Sequence, residues 1–361
     1  DNVTTVTQQT SKEVIVQTSS GSGDASGIRG GLTITKVDKA NKPLIGATFI
    51  ILDKTKKTML RTGTTDASGT VSFGGLRAGD YVIKETESPA GFSIDPEYAV
   101  GKKVKVVVTQ QNPMMTLKVV DPATLVTVSK VNEAGKGLPG ATFEVLDEAG
   151  DVILPDLKVD ANGKLAIEGL LEGTYTLKEV KAPAGYLLNT TPQTFDVVLD
   201  ENGVMVTTNI EFKNYQGSAS ILKTDAKLKG LPNSIFKVVN AQGDTIKTGL
   251  KSNADGIVTA DGLAPGNYSF VETTATTGYG INDTPIEFTI ADSSAGKPTA
   301  INAGTLVNYQ GTAKLKKEND KGESLEGAVF KLVNEQGATV AENLTTDKNG
   351  ELEVANLAPG K

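Results

Sequence analysis

The sequence predicts an all-β chain of small tandem antiparallel β-sandwiches, and three observations carry that prediction. Landmark residues recur every 93 or 94 positions across the 361 residues, and a period of that kind marks a repeat architecture. The intervening text is short alternating runs of Val, Ile, Thr and Phe, punctuated by Gly, Pro, Asn and Asp, which is the signature of strands and turns. No window shows the 3.6-residue apolar periodicity of a helix. About 93 residues with this texture suit a sandwich of about seven strands.

The landmarks come in a fixed order. Gly46-Ala-Thr-Phe49 returns as Gly140-Ala-Thr-Phe143 and Gly327-Ala-Val-Phe330, with Asn233-Ser-Ile-Phe236 as a divergent copy. Asp66-Ala-Ser-Gly69 is answered by Asp160-Ala-Asn-Gly163, Asn253-Ala-Asp-Gly256 and Asp347-Lys-Asn-Gly350. Tight turns favour these residues, and the second copy, with Glu168 nearby, reads as a hairpin turn because its ligand spacing is wrong for calcium. Gly79-Asp-Tyr81, Gly173-Thr-Tyr175 and Gly266-Asn-Tyr268 follow, then Pro89-Ala-Gly-Phe92, Pro183-Ala-Gly-Tyr186 and Thr276-Thr-Gly-Tyr279. The expected organisation is therefore a strand-like segment and linker over 1–27, sandwiches over 28–124, 125–217 and 218–311, and a half-length fourth unit over 312–361. Residues 18–31, rich in Gly and Ser, read as a flexible linker. The strand-like Val3–Gln17 reads as the tail of an upstream domain.

Side chains alternate across a strand, so parity assigns each residue to a face. Leu32, Ile34 and Lys36 share one, as do Val126, Val128 and Lys130, then Ile221 and Lys223, then Leu315 and Lys317. Each lysine lies 13 residues before its marker phenylalanine. Glu85, Glu179 and Glu272 each follow their lysine by 49 residues and share a face with Tyr81, Tyr175 and Tyr268. Nine residues before the next lysine stand Asp121, Asn214 and Asn308, again on an apolar face. One chance inward charge would read as a buried ion pair, whose desolvation offsets much of its attraction. Three polar types at fixed spacing in three successive units point to chemistry instead. Burial can bring a lysine amine down from about 10.4 by several pH units and leave it neutral and nucleophilic. A carboxyl raised by the same desolvation can protonate the neighbouring Asn or Asp carbonyl. Attack by the amine then gives an amide, with ammonia or water leaving.

Composition removes the competing chemistries. The chain has no Cys and no His, which excludes disulfides, thiolate nucleophiles, Ser-His-Asp triads and His-ligated zinc. No cofactor and no metal site is expected, and the self-modification turns over once, so the chain is not expected to be an enzyme. A net charge of −7 argues against nucleic acid as a partner. No apolar run is long enough to span a membrane. Residues 28–121 carry a net charge of +5 and residues 125–217 a net of −7. Lys102, Lys103 and Lys105 read as a solvated strand face rather than a docking patch.

These residues resemble the CnaB-type (SpaA-like, prealbumin-like) domains of Gram-positive surface adhesins and pilins. The likeness rests on the opening from Lys36 to Phe49, Tyr81-x-x-x-Glu85, Pro89-Ala-Gly-Phe92, and the closing Asn214-Tyr and Asn308-Tyr. It runs from about residue 28 to the end. The resemblance implies an Ig-like, prealbumin-like sandwich with an intramolecular isopeptide bond assisted by glutamate: Lys36–Asp121 with Glu85, Lys130–Asn214 with Glu179, and Lys223–Asn308 with Glu272. The third unit departs by lacking the Gly-Ala pair and the Pro-Ala-Gly turn, and Lys317 has no glutamate or asparagine equivalent after it.

The resemblance also implies a structural stalk of a cell-wall-associated adhesin, extracellular on the bacterial surface, with covalent wall attachment through a C-terminal region beyond this sequence. A pilus shaft subunit and a module binding collagen, fibronectin or another host matrix protein are the alternatives, and a host matrix partner would be held through other regions. An accessory domain of a secreted carbohydrase would need catalytic sequence outside this chain.

Overall fold

The computed structural model describes residues 29–361, and the strand-like reading of Val3–Gln17 lies outside them. The first repeat contains β1 (Arg29–Val37), β2 (Thr48–Asp53), β3 (Met59–Thr64), β4 (Thr70–Arg77), β5 (Gly79–Glu87), a one-turn helix α1 (Pro96–Ala99), β6 (Lys102–Val106) and β7 (Met114–Val120). Two sheets, ordered β4-β1-β7 and β3-β2-β5-β6, supply the inward faces. Leu32, Ile34, Phe49, Ile51 and Ile83 there are fully buried. The helix was not anticipated. Asp95 caps it by accepting from the Glu97 N–H, and Pro96 opens it, so local capping rather than amphipathicity creates it.

Two further sequence expectations change. The sheet holding the lysine strand is mixed: β1 pairs antiparallel with β4 and parallel with β7. The chain crosses between the sheets on its way round, and its last strand re-enters the first sheet in the direction in which it left. The presumed linker also ends early, since Arg29–Gly31 already belong to β1. Gly30 and Gly31 are there because nothing larger fits. A Cβ on Gly30 would stand 1.9 Å from the Pro113 carbonyl oxygen, and one on Gly31 would stand 2.3 Å from that of Phe73.

The second repeat has the same plan in β8 (Leu125–Val131), β9 (Thr142–Leu146), β10 (Val152–Lys158), β11 (Lys164–Glu168), β12 (Gly173–Lys181), β13 (Leu188–Asn189), β14 (Gln193–Val197) and β15 (Thr208–Lys213). Its sheets are β11-β8-β15 and β10-β9-β12-β14. The Asp160–Gly163 segment is a tight turn, but not a hairpin. It joins β10 to β11, which belong to different sheets. The Asp160 carboxylate is spent inside that turn, accepting from the Asn162 and Lys164 N–H groups.

The third repeat comprises β16 (Gly217–Thr224), β17 (Ile235–Asn240), β18 (Thr245–Lys251), β19 (Ile257–Leu263), β20 (Gly266–Thr274), β21 (Ile286–Ile290), β22 (Ser293–Ser294) and β23 (Ile301–Val307). Its divergent opening is compensated in place. Asn233 takes the left-handed φ of +67° where Gly46 and Gly140 take +89° and +88°, a conformation asparagine tolerates. Ser234, fully buried where the other repeats have Ala, shares a hydrogen bond of 2.8 Å with Thr276, which replaces the turn proline. The two departures in sequence are one interaction.

The fourth segment holds β24 (Gly311–Lys316), β25 (Val329–Val333), β26 (Thr339–Thr345) and β27 (Glu351–Leu357), paired as two ribbons. Lys317 is exposed, contrary to the parity expectation. Among the described residues no strand equivalent to β5 or β7 covers it. Its neighbour Leu315 is 41% exposed for the same reason.

The chain forms two compact units, and their boundary does not follow the repeats. One holds residues up to Val180 with Pro192–Phe212, and the other holds Lys181–Thr191 with Lys213–Lys361. In the second unit, β13 pairs with β22, and Leu187 joins the apolar core of the third repeat. In the first unit, Ile94 is buried against Gly203, whose φ is +76° and where a Cβ would lie 2.6 Å from Ile94 Cδ1.

Gly30→Ala should destabilise the first sandwich by about 1–3 kcal/mol, since a backbone carbonyl blocks the new methyl. Gly74→Ala on the adjacent β4, with open space around it, should be neutral or slightly stabilising. Calorimetric melting of both variants checks this, and equal melting temperatures would contradict it.

Candidate functional site

Three of the four lysines end in the sandwich interior, each held by its own backbone. The Lys36, Lys130 and Lys223 N–H groups donate to the carbonyls of Gly69, Gly163 and Gly256 at 2.7, 2.7 and 2.8 Å, and the lysine carbonyls accept from Leu44, Leu138 and Leu231. The turn glycines, all at left-handed φ, lie directly on the lysine strand. A Cβ on Gly69, Gly163 or Gly256 would sit 2.6, 2.5 or 2.2 Å from the lysine carbonyl oxygen. Sequence reading treated these glycines as punctuation. Their fixed distance from the lysine was the signal that they position it.

Parity holds for the rest. Lys36, Lys130, Lys223, Asp121, Asn214 and Asn308 are at most 1% exposed, and Glu85, Glu179 and Glu272 at most 2%. In the first and third repeats the lysine strand runs parallel to the neighbouring strand that leads into the Asp or Asn. Lys36 is opposite Val119 and Lys223 opposite Leu306, two residues short of Asp121 and Asn308. That places the pair diagonally on one face, within reach of a long side chain. The glutamate approaches from the other sheet, where Glu85 is opposite Phe49.

In the first repeat all three groups meet. Lys36 Nζ donates to Glu85 Oε2 at 2.6 Å and forms a closer ion pair with Asp121. The Phe49 ring lies beneath the amine, its centroid 5.5 Å away. Burial pushes Glu85 up to about 8, and the neighbouring Asp121 charge adds to this while Lys36 opposes it. Burial also raises Asp121. Two carboxylates against one ammonium would leave net charge in a dry interior, so Glu85 keeps a proton at neutral pH. Glu85 Oε1 and Asp121 Oδ2 have no hydrogen-bond partner among the described residues.

In the second and third repeats the acceptor is an amide, and the cost of burial falls on the lysine. Lys130 Nζ donates to the Phe212 carbonyl at 3.1 Å and lies 3.9 Å from Glu179 Oε1. Lys223 Nζ donates to the Leu306 carbonyl at 2.8 Å. Desolvation lowers both amines to about 8, against the pull of Glu179 and Glu272. Asn308 Nδ2 donates to both Glu272 oxygens at 3.0 Å, and its Oδ1 has no hydrogen-bond partner among the described residues. Asn214 is fully buried, its Nδ2 donating to the Leu187 carbonyl at 2.8 Å. In the third repeat a lowered amine, a carboxyl and a carbonyl carbon share one core, and these are the reactants of amide formation.

Lys102, Lys103 and Lys105 lie on β6, an edge of the four-stranded sheet, where Lys103 and Lys105 alternate with the buried Val104 and Val106. Lys102 pairs with Glu97 at 2.5 Å and covers the Tyr98 ring.

A family model described as a SpaA prealbumin-like fold domain matches the chain four times, at residues 30–122, 124–214, 217–303 and 311–361. Serine-aspartate repeat-containing protein D of Staphylococcus aureus (strain Newman) is 24% identical over 371 residues, covering 87% of this chain and 28% of that protein. Serine-aspartate repeat-containing protein F of Staphylococcus epidermidis is 27% identical over 192 residues, covering 47% of this chain and 11% of its own length. Among solved structures, the TIE protein of Bacillus anthracis is 30% identical, with a TM-score of 0.38, over 78% of this chain and 51% of that one. The chain thus spans little more than a quarter of the first of these relatives. With most of its length matched by one model in four successive copies, the chain belongs to the family of SpaA prealbumin-like fold domains.

Proposed function

We propose that the chain is a structural stalk segment of a cell-wall-associated bacterial surface adhesin, stiffened by Lys–Asp and Lys–Asn isopeptide bonds that its own sandwiches form. The observation that carries this reading is the enclosure of Lys36, Glu85 and Asp121 at hydrogen-bonding distance with no exposed side-chain surface. The tandem repetition supports a stalk, and among the described residues no exposed aromatic cluster recurs from repeat to repeat to favour a matrix-binding module. The protein works outside the cell at the wall, and host contacts and wall attachment belong to other parts of the full-length protein. It is not a turnover enzyme, because each site consumes its own lysine.

The reaction balances within each site. In the second and third repeats the lysine ammonium passes a proton to the glutamate, a transfer eased by the desolvation that lowers both amines. The neutral Nζ attacks Cγ of the asparagine while the protonated glutamate donates to its carbonyl oxygen. A Nζ–Cγ bond forms and the Cγ–Nδ2 bond breaks. The amine proton passes through the glutamate to the leaving nitrogen, and ammonia departs. In the first repeat Asp121 takes the place of asparagine and water leaves. Proximity in a rigid core supplies much of the rate.

Intact denatured protein should therefore weigh less than its sequence by two ammonias and one water. Glu179→Gln should restore one ammonia only. An unchanged mass in the parent chain would end the isopeptide reading.

The crosslinking rate should be level near neutrality and fall as pH rises past about 8. Lys130 and Lys223 lose their protons there, as does Glu85, and each site then lacks the proton its leaving group needs. The decline should approach about tenfold per pH unit. Timed mass measurements on freshly synthesised chain check it, and a rate still climbing above pH 9 would contradict it.

With the bonds closed, tension entering at Lys36 bypasses the sandwiches. Of the 281 residue steps from Lys36 to Lys317, only 27 lie on the tensioned backbone, so these can extend to under roughly 100 Å. Single-molecule pulling should show no release of a sandwich's contour in the three full repeats. Replacing Lys130 and Lys223 with Ala should create one unfolding step each for the second and third.

A further inference from the structure

Ten residues beyond each glutamate stands an Asp or Asn that no spacing argument had singled out: Asp95, Asn189 and Asn282. All three make the same local turn. Their Oδ1 atoms accept from the N–H two residues on, from Glu97 at 2.8 Å, Thr191 at 3.0 Å and Thr284 at 3.2 Å. A turn alone would need nothing more. In the two asparagines, however, the other end of the carboxamide is aimed at the closing strand. Asn189 Nδ2 donates to the Lys213 carbonyl at 2.9 Å, and Asn282 Nδ2 donates to the Val307 carbonyl at 3.0 Å. Each of those carbonyls belongs to the residue immediately before the reactive asparagine, Asn214 or Asn308.

The main-chain N–H of the same residue completes the pattern. Asn282 N–H donates to Glu272 Oε2 at 2.8 Å, and Asp95 N–H donates to Asp121 Oδ1 at 3.0 Å. In the third repeat one residue thus grips both the glutamate and the peptide plane from which Asn308 projects. That plane sets where Asn308 Cγ sits, two bonds beyond its Cα, and about one ångström of misplacement can cost about a hundredfold in rate. The first repeat differs in the way its acceptor requires. Asp95 has no side-chain N–H to give a backbone carbonyl, and it contacts the acceptor carboxyl directly through its own main chain.

We infer that Asn189 and Asn282 are positioning residues for isopeptide formation, each clamping the carbonyl that precedes its reactive asparagine; this rests on the isopeptide reading above. The clamp orients the carbonyl carbon and takes no part in proton transfer. It is built from a residue whose acceptor end makes the turn and whose donor end reaches the strand, which asparagine alone among the short side chains provides.

The test uses the whole chain, so that the first two sites serve as internal controls. Chain made in a short pulse of cell-free synthesis is sampled over time, and each crosslinked peptide is quantified by mass. Asn282→Ala should slow formation of the Lys223–Asn308 bond by about tenfold or more, leaving the other two bonds at parental rates. Asn282→Asp keeps the turn acceptor and removes the donor, so it should remain slow. Hydrogen exchange in an uncrosslinked Glu272→Gln background, with and without Asn282→Ala, should show a third sandwich equally protected in both. A parental rate in Asn282→Ala, a rate restored by Asn282→Asp, or a collapse of protection would each overturn the inference in favour of no role, a turn role or a folding role. A parent chain that loses no ammonia would remove the isopeptide reading itself, an outcome distinct from these three.

Discussion

A lysine amine enclosed between two β-sheets governs everything around it. An isolated ammonium in such a place is too expensive to keep, so the fold must give it a proton acceptor, a hydrogen bond or a way to become neutral. This chain supplies all three: a glutamate from the facing sheet, a backbone carbonyl of the neighbouring strand, and an apolar setting that lowers Lys130 and Lys223 to about 8. Because the strand carrying the lysine is pinned through both its N–H and its carbonyl, the amine cannot retreat to water by a small slip of register. The same constraint makes the site reactive and makes removal of a single partner costly.

The first repeat resolves the constraint differently from the other two. With Asp121 as acceptor the interior holds two carboxyls, and the excess negative charge is relieved by a proton kept on Glu85. With Asn214 or Asn308 there is one carboxyl, and the lysine carries the shift instead. Both arrangements place one acidic proton beside one carbonyl. A change of one atom group in the acceptor is absorbed by moving the proton, with no change in the sandwich.

Much of this was legible because strands have a period of two and the repeats keep count. Parity alone places Lys36, Glu85 and Asp121 on inner faces, and all three are fully buried. What escaped depended on contacts without periodicity. The turn glycines keep a fixed distance from the lysine, but the same Asp-x-x-Gly pattern closes any tight turn, so the pattern alone does not separate a residue that presses on the lysine carbonyl from ordinary punctuation. The parallel pairing of β1 with β7 follows from the path of the whole chain, which local pattern does not carry. Lys317 obeyed the spacing yet is exposed, because burial is a property of the covering strands and not of the residue. In the third repeat, the pairing of Ser234 with Thr276 shows two apparent defects cancelling, a relation invisible when each position is read alone.

The unit of repetition and the unit of stability are offset. Lys181–Thr191 are numbered with the second repeat but belong to the same compact unit as the third, and Leu187 is 2% exposed within that repeat's core. A fragment cut at the repeat boundary would therefore leave the third sandwich without one of its core side chains and without the partner strand of β22. Its melting would then report the missing segment as well as the sandwich.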